Sequence, residues 1–300
     1  MINRVTHQMT QRSTLANMQS NLAALSKLQD QASSMKRIQK ASDDPAGTAQ
    51  ALRLRAEQRA SAQYDRNMQD GVSWLNTIDT ALSTTATYLQ RARDLTVRGA
   101  NTGSMGQTSR EAIATEIEGI RDSLLGQANT TYLGRHVFAG TSNAPSAVTR
   151  DAATGTYTYN GGSGAVERRV AESTTIRVDA DGAAVFGFRP GETSVFALLD
   201  SIAAELRAGT NVGPRLNDLD TRLQSVLTEA ATIGARTKQM EAMQQANTSR
   251  ALTLKTDISA VEDVDLAETI VNLQAQEVAY QAALGAAGKV LQPTLLDYLR

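Results

Sequence analysis

Apolar residues recur through the C-terminal third of the chain in alternating steps of three and four: Leu216, Leu219, Leu223, Val226, Ala230 and Ile233. The same stepping continues through Thr237, Met240, Gln244, Asn247, Ala251, Leu254 and Ile258. A seam held at a mean spacing of 3.5 residues for this long predicts a coiled-coil helix of about 65 Å, the element of a rod. A second ladder, Leu15, Met18, Leu22, Leu25, Ala32, Met35 and Ile38, opens the chain and stops at Ala41-Ser42-Asp43-Asp44-Pro45-Ala46-Gly47. There Asp44 is placed to cap the next helix and Pro45 to take its first position, which needs no donor. Lys36, Arg37 and Lys40 suit the negative end of the helix before it. Ser42, Asp43, Asp44, Pro45 and Gly47 therefore read as a helix break with its cap.

The second helix follows through Tyr64, Met68, Val72, Leu75, Ile78, Leu82 and Leu89 to Leu95 and fades at 99–106. A third is expected to start at a capping box, Thr108 with Glu111, and to carry Ile113, Ile117, Ile120 and Leu124. Between about 136 and 195 the period changes. Val137-Phe138, 156–159, 166–170, 174–178 and 185–188 are short β-branched or aromatic runs, separated by the turn sequences 160–164 and 179–182. They predict a small antiparallel β module inserted into a mainly α protein, with a short helix over 196–206 leading back. The last helix opens at a second capping box, Asp265 with Glu268, and carries Leu266, Ile270, Leu273, Tyr280, Leu284, Ala287 and Leu291 before Pro293. The apolar ending that includes Leu295 and Tyr298 needs a partner to leave water.

Charge adds a direction to this picture. The chain of 300 residues has a formal charge of only -1, which gives no reason to expect nucleic acid as a partner. The ends differ: residues 1–40 carry Arg4, Arg12, Lys27, Lys36, Arg37 and Lys40 against Asp30, a balance of +5. Residues 261–300 carry Glu262, Asp263, Asp265, Glu268, Glu277 and Asp297 against Lys289 and Arg300, a balance of -4. Opposite charge on two amphipathic segments favours their pairing with each other.

Catalytic chemistry finds no footing. Without cysteine, disulfides and thiolate metal sites are excluded. His7 and His136 belong to no metal pattern, and Asp43-Asp44 is better explained by capping than by an ion. Counted from Asp179, a calcium loop would need Gly at its sixth position and Glu at its twelfth, where Ala184 and Pro190 stand; the segment reads as a hairpin turn. Gly161-Gly162-Ser163-Gly164 lacks the Lys of a phosphate loop. Neither an enzyme nor a cofactor is expected. No window reaches the roughly 20 apolar residues of a membrane span, and no cleaved secretory signal opens the chain.

The structural residues also carry a likeness. Arg37-Ile38 followed by 41–47 resembles the N-terminal signature of the bacterial flagellin family, and Tyr64-Asp65-Arg66-Asn67 and Arg91-Ala92-Arg93-Asp94-Leu95 fit its second helix. Asp263-Val264-Asp265-Leu266-Ala267-Glu268 and Tyr280-Gln281-Ala282-Ala283-Leu284 resemble its C-terminal signature. Ala128-Asn129-Thr130, then 134–140, the Ser-Asp-Asp-Pro form of the break and the ending 295–299 are similar to members that join hook to filament. Met35 departs from the pattern, because relatives commonly place glycine there.

The resemblance implies a non-enzymatic subunit of an extracellular tube, with both termini in the inner wall and the β domain outside. It implies a homo-oligomeric ring touching a hook-side junction protein and flagellin. It also implies export in an unfolded state, with a chaperone on the C-terminal segment. The expected division is 1–42 with 262–300 as the terminal assembly region, disordered in the free monomer, 43–139 with 197–261 as a helical rod, and 140–196 as the outer β-rich domain. The assembly faces would comprise Leu15, Met18, Leu22, Leu25 and Ile38 on one side, and Leu266, Ile270, Leu273, Tyr280, Leu284, Leu291, Leu295 and Tyr298 on the other. A filament flagellin is the nearest alternative. A secreted coiled-coil effector or tip protein is a further one; its membrane-active form would show a lysine-rich face with aromatic anchors, whereas the only tryptophan, Trp74, lies inside the second helix.

Overall fold

The computed structural model describes residues 7–100 and 105–290. Its elements, in order, are α1 (His7–Ser34), α2 (Pro45–Ala100), α3 (Gln107–Ala128), β1 (Thr131–Tyr132), β2 (Arg135–His136), β3 (Val148–Arg150) and β4 (Tyr157–Tyr159). They continue with β5 (Glu167–Arg169), β6 (Thr175–Arg177), α4 (Gly182–Phe186), α5 (Val195–Ala208), α6 (Arg215–Glu262) and α7 (Leu266–Val290). The fold is mainly helical with β hairpins inserted in the middle, as the change of period predicts. Two compact units emerge, residues 1–60 with 251–300 and residues 61–250. The long helices α2 and α6 contribute to both.

In the 61–250 unit the long ladder packs as its spacing requires. Leu219, Val226, Ile233 and Met240 are buried at intervals of seven, and Met68, Leu75, Ile78, Leu82, Leu89 and Leu95 of α2 are buried in the same core. The pairing is antiparallel: Ser61 meets Asn247 and Arg93 meets Asp220. Asn247 is a polar step in the seam, and it is satisfied reciprocally, its Oδ1 accepting from Ser61 Oγ at 2.8 Å and its Nδ2 donating to the Ser61 carbonyl at 3.0 Å. A polar pair of this kind fixes register at some loss of burial. α3 packs on α5 through Ile117, Leu124, Leu199, Ile202 and Leu206.

The middle holds three separate two-stranded antiparallel hairpins, β1–β2, β3–β4 and β5–β6. Several expectations are corrected here. Residues 185–188 are not a strand: Asp181 accepts from the amides of Ala183 and Ala184 and starts α4, so the 179–182 segment is a helix entry and not a hairpin turn. Val137 and Phe138 fall just after β2, and both are fully buried. Asp179, 1% exposed, is a bidentate anchor for Arg177 and accepts from the Val166 amide. The Thr108 cap is also absent. Gly106 precedes α3 with no side-chain cap, and Glu111 pairs instead with Arg207 of α5.

The 128–140 motif ties the end of α3 to the hairpins. Asn129 Oδ1 accepts from the Val148 amide at 3.0 Å while its Nδ2 donates to the Val148 carbonyl at 2.9 Å, so one side chain replaces a ladder partner. The His136 ring lies 2.9 Å from the carbonyl oxygens of both Asn129 and Pro145, bridging the end of α3 to the segment before β3. Tyr159 donates to the Phe138 carbonyl, whose ring packs edge-on against Phe186.

Candidate assembly site

The 1–60 and 251–300 unit contains the terminal helices and both helix breaks. At the first break Asp44 Oδ1 accepts from the Gly47 amide at 2.9 Å, and Pro45 is the first residue of α2, as the cap reading requires. Asp43 accepts from the amides of Lys40 and, more weakly, Gln39, which hold its carboxyl below the usual range; Ser42 is exposed in the turn. Gly47 is buried, and a Cβ there would lie 2.5 Å from Asp44 Oδ2 and 2.7 Å from Ile38 Cδ1. Glycine thus lets Ile38 and the cap close over the first turn of α2. At the second break Asp265 caps α7, accepting from Ala267 and Glu268.

The two breaks are stitched together. Arg37 N–H donates to the Glu262 carbonyl at 2.7 Å, Val264 N–H donates to the Met35 carbonyl at 3.2 Å, and Lys36 faces Asp263 in a β-bridge. The Glu262 carboxylate, nearly buried, accepts from Lys36 Nζ at 3.2 Å and from the Arg55 guanidinium at 2.6 Å. Arg37 also donates to the Val261 carbonyl. Lys36 and Arg37 therefore serve the end of α6 and not, as their position suggests, that of α1. The reason is Met35, whose φ of 57° turns the chain away from α1 before the cations are reached.

α1 and α7 pack antiparallel beyond the joint. The positions turned inward are Thr14, Met18, Asn21, Leu25, Leu28 and Ala32 on α1, and Thr269, Leu273, Gln276, Tyr280, Ala283 and Ala287 on α7. Both sets step by four and three, the a and d positions of a heptad. Of the residues expected in the stripe, Met18, Leu25, Leu273 and Tyr280 are in this seam. Leu15, Leu22, Ile270 and Leu284 are not: they are 49%, 51%, 42% and 44% exposed, each one place after a d residue. These are e positions, and in an antiparallel pair the e positions of both helices lie along one flank. The opposite, g flank is small or polar: Asn17, Ala24, Asn272 and Ala279. Leu266, at the start of α7, is also exposed. Leu291, Leu295 and Tyr298 lie outside the described residues.

The two helices differ on their outer faces. α1 turns Arg12, Gln19, Ser20 and Lys27 to solvent, whereas α7 turns out Val271 and Val278, 64% and 66% exposed. α7 thus exposes large apolar side chains on its flank and its back as well as its seam, interspersed with Glu268, Gln274, Glu277 and Gln281, more apolar surface than a solvated helix face carries. Among the described residues no group of acidic or histidine side chains could hold a metal, and no helix is long and apolar enough to cross a membrane.

Known proteins share this organisation. Residues 5–143 match the bacterial flagellin N-terminal helical region. The flagellar hook-associated protein 3 of Salmonella typhimurium is 29% identical over 93% of this chain and 94% of its own length. A flagellin of Bacillus subtilis is 26% identical over 93% of each. A solved flagellar hook-associated protein from Vibrio parahaemolyticus superposes with a TM-score of 0.68 at 26% identity, covering 74% of this chain and all of that one. Sequence signatures at both breaks, helical pairing and these likenesses agree: over nearly its whole length the chain is similar to members of the bacterial flagellin family.

Proposed function

We propose that this chain is a structural, non-enzymatic subunit of the junction between flagellar hook and filament. At equal coverage the identity to hook-associated protein 3 is 29% against 26% to the Bacillus subtilis flagellin, and the solved Vibrio parahaemolyticus relative is a hook-associated protein, which supports the junction over the filament reading. The observation that carries the mechanism is that α7 holds Leu266, Ile270, Val271, Val278 and Leu284 exposed while α1 covers only its seam. Burial decides: a leucine-sized side chain moved from water into contact contributes about 1.5–3 kcal/mol, against about 0–1 kcal/mol for an exposed ion pair. The flank formed by Leu15, Leu22, Ile270 and Leu284, with Leu266 and the valines of α7, faces neighbouring subunits. Charge sets direction and register.

Assembly then proceeds by ordering. A seam containing Thr14, Asn21, Thr269 and Gln276 is weak for an isolated helix pair, so residues 1–42 and 262–300 become fully ordered when other copies cover them. Residues 43–139 with 197–261 form the rod, and 140–196 the outer domain. The partners are further copies in a ring, a hook-side junction protein and flagellin, in the extracellular flagellum. Before export a chaperone covers the apolar faces of α7 and the residues beyond it, as an amphipathic helix lies in a groove.

Deletion of the gene tests the assignment. Cells without the protein are expected to lose motility and release flagellin into the medium. Attached filaments in the deletion strain would sink the junction reading. If the chain were the filament subunit, its loss would remove filament protein altogether without release.

A further inference from the structure

We infer that Glu262 is the positioning residue of the assembly helices: it makes the break after α1 and the break after α6 one joint, so that α1 and α7 are presented together. Only the functional arm of the test below rests on the junction reading.

Three segments distant in sequence converge on this side chain. Lys36 lies in the first break, Arg55 on α2, and Glu262 is the last residue of α6; both cations bond to the same carboxylate oxygen, Oε2. Around it the main chain is stitched twice, Arg37 N–H to the Glu262 carbonyl and Val264 N–H to the Met35 carbonyl. The last carbonyls of a helix normally lack partners. Here Val261 and Glu262 receive Arg37 instead. Met35 is held in the left-handed region at φ 57°, a conformation that persists for such a residue only where its surroundings over-determine it.

A salt bridge on the surface would explain none of this arrangement. Glu262 is 5% exposed, while Lys36 and Arg55 keep about half of their side chains in water. The carboxylate is therefore the only fully committed member of the triad, and removing it leaves two cations with no reason to stay together. α1 and α7 then lose their common origin. The seam beyond the joint holds the pair through the a residues Met18, Leu25, Leu273 and Tyr280 but anchors it weakly, because Asn21 and Gln276 supply one 3.2 Å hydrogen bond and the remaining d positions are small or polar apart from Leu28. Position is set at the joint and propagated outward along two helices.

The absence of cysteine allows a direct test on the full chain. Lys36 and Asp263 form the bridge pair between the two stitches, a non-hydrogen-bonded pair whose Cα separation of about 4.5 Å suits a disulfide. Full-length protein carrying K36C and D263C retains Arg55 as the partner of Glu262 and should cross-link readily under air oxidation. Adding Glu262→Gln should slow cross-linking by about tenfold, through the lower effective concentration of the two thiols. Adding Glu277→Gln, on an exposed part of α7, should leave it unchanged. Emission from the buried Trp74, in the other unit, reports whether the fold at large survives.

In cells, Glu262→Gln subunits should be exported but release flagellin, and the K36C, D263C pair should restore attachment once oxidised outside the cell and not when kept reduced. Equal cross-linking rates with and without Glu262 would overturn the proposal. So would failure of the oxidised pair to restore attachment, including in a variant whose Trp74 emission has shifted. If the deletion strain itself kept its filaments, the junction reading would fail while the cross-linking rate still decided the joint.

Discussion

Gln276 reaches from α7 to Asn21 on α1, its Nε2 donating to the Asn21 carbonyl oxygen at 3.2 Å with the Asn21 side-chain oxygen at 3.5 Å. Both are d positions of the α1–α7 seam, where leucine would bury more. A polar pair at one seam position selects register at the expense of stability. Gln276→Leu is accordingly expected to raise the helix content of the free protein, stabilising the pair by about 1 kcal/mol, and to reduce the fidelity of assembly. Circular dichroism of the full chain and flagellin release in cells check the two halves. Unchanged helix content would show that Gln276 is not a seam residue.

Met35 carries a left-handed backbone that favours glycine. For a residue with a Cβ this conformation costs about 1–2 kcal/mol, whereas glycine gives up about 0.5–1 kcal/mol of chain entropy. Met35→Gly should therefore stabilise the joint by up to about 1 kcal/mol, Met35→Ala should be neutral and Met35→Val destabilising. Cross-link formation between residues 36 and 263 ranks the three.

The places where sequence reasoning succeeded and failed share a cause. In α6 the ladder 219, 226, 233, 240 is the buried one, because only one register of that helix is apolar. In α1 and α7 leucine and isoleucine occupy e positions, and an a–e ladder steps by four and three just as an a–d ladder does. Spacing alone cannot separate them, so Leu22 and Ile270 read as seam, where Asn21 and Gln276 stand instead. The cap at Asp44 was legible because its partner is three residues away. The pairing of Lys36 with Glu262, 226 positions apart, was not: local charge pointed to the nearest helix end. Residues 185–188 failed as a strand for a local reason: the Asp181 cap outranks the β-branched and aromatic side chains that follow it.

Glycines in helices separate packing from propensity. At Gly99 a Cβ would lie 2.4 Å from Leu206 Cδ2, whereas at Gly119 nothing stands within 4 Å. Overpacking costs about 1–3 kcal/mol and alanine returns about 1 kcal/mol of helix propensity. Gly99→Ala should thus lower stability by about 1–2 kcal/mol, a fall of several degrees in Tm, and Gly119→Ala should raise it by up to about 1 kcal/mol. Thermal melts of the two variants should move in opposite directions.

Two tyrosines predict an alkaline limit. Burial, and then the bond from its hydroxyl to Asp200, pushes the Tyr157 phenol up to about 12; burial, and then the charges of Asp181 and Asp179, pushes Tyr159 up to about 12. An unfolded tyrosine ionises near 10. Below about pH 10 both states keep the proton and the native contribution is whole. Between about 10 and 12 the unfolded chain releases protons first, so stability falls as pH rises. Tyr157→Phe should flatten part of that fall, as read from denaturant midpoints across this range.

The flank and the seam of the terminal pair make separable demands on the same helix. Ile270 is 42% exposed on the e flank, one turn before Leu273, which is half-buried in the seam. Aspartate at 270 places its carboxylate in water in the free protein, so helix content and thermal transition should be unchanged. Against a neighbouring subunit the same carboxylate would be desolvated without a partner, at a penalty of several kcal/mol, and filaments should detach. Leu22→Asp, on the same flank but on α1, should behave alike. Leu273→Asp should weaken the free helix pair as well as assembly, and Ala279→Asp, on the small g flank, should do neither. Attached filaments in Ile270→Asp and Leu22→Asp cells would show that subunits do not meet through this flank.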